Sequence, residues 1–146
     1  MDPADLVGRW EVVRATEESP DGTEGPARWD EGFIAYWSDG TMIGILDHSE
    51  RGPQSSAGGP ALAARAAALT PDEQLRALER FGAYAGTYTL EGDIVTHHVR
   101  FSLNPQIKGR ELRRTVRLEN RYLVISTRNL GNPRTLDLVL ERVGRE

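Results

Sequence analysis

The chain has 146 residues, a formal net charge of −4 and no cysteine. That length suits one domain spanning residues 1–146, able to bury about 68–70% of its unfolded surface without staples. The missing cysteine excludes disulfides and thiolate chemistry. The mixed charges argue against nucleic acid, which selects a basic face. No run approaches the roughly eighteen apolar residues of a membrane helix. The start MDPADLVGRW lacks the basic and apolar regions of a secretory signal, so a cytoplasmic protein is expected.

Residues 6–16 form the first strand candidate, with Gly8, Trp10 and Val12 on one face. Residues 17–30 are rich in Gly, Pro, Asp and Glu and read as a loop. Residues 33–37 make a short apolar strand, Ser38-Asp39-Gly40 a turn, and residues 41–46 the hairpin partner. Residues 47–60 hold no regular pattern, and the alanine-rich residues 61–69 favour a helix. Thr70-Pro71-Asp72-Glu73 is a strong helix start: a threonine cap, a proline in the first turn and a glutamate that closes the capping box. Leu75, Leu78 and Phe81 then form an apolar stripe.

The longest strand-like stretch follows, YAGTYTLEGDIVTHHVRFSLNP, over residues 84–105. Glu91-Gly92-Asp93 carries the turn chemistry of a hairpin. Alternation puts Val95, His97, Val99, Phe101 and Leu103 on one face, expected to be buried, and Thr96, His98 and Arg100 on the other. Three further strands occupy residues 110–118, 122–127 and 135–143. The count is eight antiparallel strands with a helical insertion over residues 47–84, acting as a lid or a plug. An all-β barrel follows, because closure removes exposed edges. Such a barrel is either filled by side chains or holds one small ligand.

Several segments resemble one known family. Gly8-x-Trp10 resembles the Gly-x-Trp signature of lipocalins, and the fuller match is to the bacterial lipocalin-like domain family. The similar segments are LVGRW (residues 6–10), the turn at Ser38-Asp39-Gly40, YAG (84–86), GDIVTHHV (92–99) and VLERV (139–143). The resemblance implies a calycin-type eight-stranded barrel with a helix at one end. It also implies that Arg142 stacks on Trp10, so Gly8, Trp10 and Arg142 are expected to be structural. Related barrels include ligand carriers and enzymes that isomerise or cyclise small molecules.

His97 is the first candidate for chemistry. An imidazole with an ordinary pKa of about 6.5 can serve as acid or base, or it can be a core histidine with satisfied hydrogen bonds. The pair His97-His98 makes no metal site, because adjacent strand residues face opposite ways. Arg114 shares a face with Leu112 and Val116. An inward guanidinium must find an acid, carbonyls or an anionic ligand. Tyr36, Trp37, Tyr84, Tyr88 and Phe101 are candidate pocket residues, with core packing as the alternative. Asp47-His48-Ser49 is not read as a catalytic triad, and His48 is placed at the barrel mouth. The arginines from Arg110 to Arg134 read as a solvent face or as an anion-binding strip.

The expected role is binding of a small hydrophobic molecule bearing a polar or anionic group, without a cofactor, and a homodimer is left open. The alternatives are a cofactor-independent isomerase or cyclase, with His97 and Arg114 as its catalytic residues, and an interaction module whose barrel is filled.

Overall fold

A computed structural model describes residues 1–50 and 67–146. A short helix, α1 (Pro3–Leu6), opens the chain. The strands are β1 (Gly8–Glu18), β2 (Glu24–Pro26), β3 (Glu31–Tyr36), β4 (Thr41–Asp47), β5 (Gly82–Glu91), β6 (Ile94–Ser102), β7 (Glu111–Glu119), β8 (Tyr122–Ser126) and β9 (Thr135–Gly144). Helix α2 (Pro71–Glu79) precedes β5. Eight strands run β1-β3-β4-β5-β6-β7-β8-β9, each antiparallel to the next, and β1 also pairs with β9. The sheet is therefore a closed eight-stranded barrel, and β2 is an extra strand beside the far end of β1.

Strand ends shift by one or two residues from the sequence reading, and two differences have a local cause. The first strand begins at Gly8, because Asp2 and Asp5 form a reciprocal capping box that folds the residues before it into α1. Residues 24–26, expected in a loop, pair with Thr16–Glu18.

One end of the barrel is closed. Leu6 at the end of α1 is fully buried and Trp10 nearly so. The Trp10 indole N–H donates to the Leu6 carbonyl at 2.8 Å. Arg142, paired across the β1–β9 seam with Trp10, lays its guanidinium 4.4 Å from the ring centroid. It also donates to the Asp5 carbonyl at 2.6 Å, tying α1 to the barrel. Gly8 sits at a φ of +134°, and a Cβ there would lie 2.6 Å from the Gly144 carbonyl oxygen. Only glycine fits that turn into the strand.

The core fills the closed half: Leu6, Trp10, Ile34, Tyr36, Met42, Tyr88, Val95, Val116, Leu123, Ile125, Leu138 and Leu140. Toward the other end the inward residues Ala15, Leu46, Tyr84, Leu112 and Leu136 are only half-buried. The lumen is fully packed at one end, and its inward residues are less buried toward the other, here called the open end.

Helix α2 has the capping box expected of it, with Thr70 and Glu73 bonded reciprocally. It buries none of its residues, and Leu75 and Leu78 are exposed. Most of the insertion expected to act as a lid or plug, including the helix-prone stretch from residue 61, falls on residues 51–66, outside the described residues. No helix among the described residues is long and apolar enough to cross a membrane.

Candidate functional site

The site is built on β6. From the Gly92 turn onward its alternation is regular: Val95, His97 and Val99 are buried, with half-buried residues between them. His97 is 1% exposed and faces the lumen. Opposite it on β5 stands Tyr88, and β3 contributes Tyr36 from the closed end. The Tyr36 hydroxyl lies 2.7 Å from His97 Nε2. The Tyr84 hydroxyl lies 2.7 Å from His97 Nδ1. Tyr88 packs edge-on against Tyr36 at 4.8 Å between centroids and donates its hydroxyl to the Trp37 carbonyl at 2.9 Å.

Electrostatics keep this cluster neutral. Burial, with the nearby Arg114 and His98 charges adding to it, pushes the His97 imidazole down from 6.5 to about 3. Burial raises the Tyr36 phenol well above its ordinary value; Tyr84 adds to the rise and Arg114 opposes it. The Tyr84 phenol is raised by burial too, again opposed by Arg114. Arg114 is thus the charge that these groups feel. It pairs with buried Val95 in the β6–β7 register, which fixes its strand face toward the lumen, and it is half-buried. Its Nη1 donates to the Arg113 carbonyl at 2.8 Å. No carboxylate lies within ion-pair distance of it among the described residues.

A bulge decides which other candidates reach the lumen. Gly86 pairs with Val99 and Ala85 with Phe101, so Arg100 is an extra residue on β6. The alternation is reset there. Ser102, opposite Tyr84, turns inward. Phe101 and Leu103, expected on the buried face, are 63% and 50% exposed. The pocket placement of Phe101 is corrected accordingly: its ring carries the Arg100 guanidinium at 5.5 Å on the outer surface. Trp37, also expected at the pocket, lies past the end of β3 and is 38% exposed; its backbone carbonyl is what meets Tyr88.

Several of the remaining charges are paired. Arg117 meets Glu119, Arg121 meets Glu141, and Arg128 meets both Glu18 and Asp137. An open groove of about 670 Å³ crosses this outer wall, floored by Thr115, Val124, Ser126 and Val139. Its lining mixes Glu24, Asp93, Glu119 and Asp137 with Arg14, Arg117 and Arg128. Buried Glu17 accepts from the Arg28 backbone N–H at 2.8 Å and from its Nε at 3.1 Å, and Arg134 stands 3.9 Å from its second oxygen. His98 points away from His97, to Glu111 at 3.2 Å and the Thr89 hydroxyl at 3.1 Å. His48 follows β4 at the open end. Its Nδ1 accepts from the Glu50 N–H, and its Nε2 lies 3.7 Å from Asp30.

The phenol–imidazole–phenol cluster was not foreseen from the sequence. Tyr36, Tyr84 and His97 were separate candidates, and only the strand register brings them together. The signal available beforehand was the pairing of β5 with β6, which puts Tyr84 and Tyr88 on the face of His97.

Two solved structures are similar to this chain. One is a lipocalin-like protein from Bacteroides uniformis, at 14% identity and a TM-score of 0.49, covering 94% of this chain and 98% of that one. The other is an uncharacterized protein from Bacteroides eggerthii, at 13% identity and a TM-score of 0.49, covering 94% and 99% respectively. No curated protein matches the chain. The model of the lipocalin-like domain matches residues 7–137. With the closed barrel, the capped end and the Trp10–Arg142 contact described above, the chain belongs to the lipocalin-like domain family.

Proposed function

We propose that the protein binds a small molecule with an apolar body and one anionic or polar group, held in the open half of the barrel. The observation that carries this reading is Arg114. It is half-buried on the lumen-facing side, and its guanidinium donates to the backbone carbonyl of its own neighbour, Arg113. Glu17, the buried acid, already has Arg28 and Arg134. A partly desolvated guanidinium without a carboxylate favours an anionic or strongly accepting group on a ligand, which it can grip with two parallel donors. The half-buried inward residues Ala15, Leu46, Leu112 and Leu136 give the apolar body its surroundings. They also argue against a barrel filled throughout by its own side chains.

Isomerisation or cyclisation of the bound group would draw on the same residues. His97 is a poor fit to that role, because a base whose conjugate acid lies at about 3 accepts a proton weakly at neutral pH. Binding is therefore the favoured reading.

Native mass spectrometry with dodecanoate and with dodecylammonium tests it. Wild-type protein should retain dodecanoate in preference to the amine. Arg114→Gln should weaken dodecanoate binding about tenfold or more, the scale of a charge-assisted hydrogen bond. Equal retention of both amphiphiles, or an unchanged Arg114→Gln, would remove the proposal. Incubation with a metabolite extract, followed by liquid chromatography, separates carrier from catalyst. An unchanged extract with a retained mass supports a carrier, whereas a converted peak lost in His97→Ala would make the protein an enzyme.

A further inference from the structure

The His97 cluster contains a directional constraint. A neutral imidazole has one N–H and one lone-pair nitrogen, and a phenol has one O–H to give. His97 meets a hydroxyl at each nitrogen, so two arrangements exist. In the first, Nε2–H donates to Tyr36 and Tyr84 donates to Nδ1. The Tyr36 proton then has no acceptor among the described residues, at a residue only 1% exposed. A buried donor left unmade costs about 1–3 kcal/mol. In the second, Tyr36 donates to Nε2 and Nδ1–H donates to Tyr84. The proton left over is then that of Tyr84, whose hydroxyl meets the ring on its other nitrogen and whose side chain belongs to a half-buried residue rather than a fully buried one. Its acceptor must come from outside the cluster, as water or a ligand oxygen.

We propose that Tyr36, His97 and Tyr84 form a one-way hydrogen-bond chain from the closed end to the open end, with His97 held as its Nδ1–H tautomer and the Tyr84 O–H offered to an acceptor oxygen of the ligand. The last clause rests on the binding reading above; the direction of the chain does not. Tyr84 is then a specificity-determining residue, and Tyr36 and His97 are positioning residues that fix its proton outward. The ligand class narrows to molecules with a carbonyl-type oxygen next to the apolar body, such as a ketone, ester or carboxylate.

Two measurements decide the matter. Nitrogen-15 NMR of histidine-labelled wild-type protein near pH 7 should show a protonated-type Nδ1 and an unprotonated Nε2 for His97. The reverse pattern, or a doubly protonated ring, overturns the chain. Fluorescence titration with two neutral probes tests the offered donor without engaging Arg114 through charge. 2-Acetylnaphthalene carries an acceptor oxygen, and 2-ethylnaphthalene has a similar outline without one. In Tyr84→Phe the ketone should bind about tenfold more weakly, the scale of one hydrogen bond, with the hydrocarbon within about twofold of wild type. An equal response of both probes to Tyr84→Phe overturns the specificity role. Failure of both probes to bind wild type overturns the binding reading and the ligand clause with it, and the NMR pattern still decides the direction of the chain.

Discussion

Burial dominates the behaviour of His97, and the consequence can be read in stability. The folded ring holds no proton until the pH falls to about 3, whereas in the unfolded chain it takes one up near 6.5. Between those values the unfolded state binds more protons, so stability rises with pH. The contribution is fully present above the unfolded value and is lost as the pH falls through the window toward the folded one. The slope from this one group reaches about 1.4 kcal/mol per pH unit. Urea midpoints followed from about pH 7.5 down to pH 5 should fall more steeply for wild type than for His97→Gln, whose amide does not titrate. Parallel profiles would mean that the folded ring takes up protons freely. The same residue shows what a sequence conveys about a site. Its inward direction followed from a period of two counted out from the Gly92 turn. Its partners did not, because Tyr36 lies 61 residues away and only the barrel's register brings its hydroxyl to the ring.

At the level of elements, the β5–β6 hairpin hinges on Gly86. A Cβ there would lie 1.9 Å from the His98 carbonyl oxygen and 3.0 Å from the Arg100 backbone nitrogen. Backbone atoms on the facing strand cannot swing aside as the end of a flexible side chain can. Gly86→Ala should destabilise the protein by about 2–4 kcal/mol, read from chemical denaturation, because the bulge must deform or dissolve. A cost below about 1 kcal/mol would show that the strands separate there without penalty. The bulge also explains the limit of strand counting. One inserted residue, Arg100, reverses every later side chain, so Phe101 and Leu103 face outward although the simple alternation puts them inside. The clue sat on the other strand, as a glycine inside a run of strand formers. By contrast, the α2 start and the hairpin turns were legible because local chemistry alone determines them: a reciprocal cap at Thr70 and Glu73, and a positive φ at Gly92 and Gly40. The three residues of β2 carry no such local signature and are ordered by pairing with the end of β1.

At the level of the whole molecule, the barrel is a meander with one exception. Neighbouring strands around the barrel are successive in the chain, apart from the short β2 detour, until the last joins the first. Most neighbouring pairs form from nearby residues; β4 and β5 pair across the insertion, and the β1–β9 seam must bring the two ends of the chain together. Loop-closure entropy opposes that step, and such non-local pairing slows folding. The Trp10–Arg142 contact lies on the seam itself, so the indole reports whether the circle has been completed. In a Trp29→Phe, Trp37→Phe background, stopped-flow refolding should show the Trp10 fluorescence reaching its native value after the far-ultraviolet signal of the hairpins. Coincident phases would instead describe a chain that zips shut in a single cooperative event. Seen this way, the stacked arginine acts as a clasp, engaging a ring of strands once the rest of the circle has been laid down.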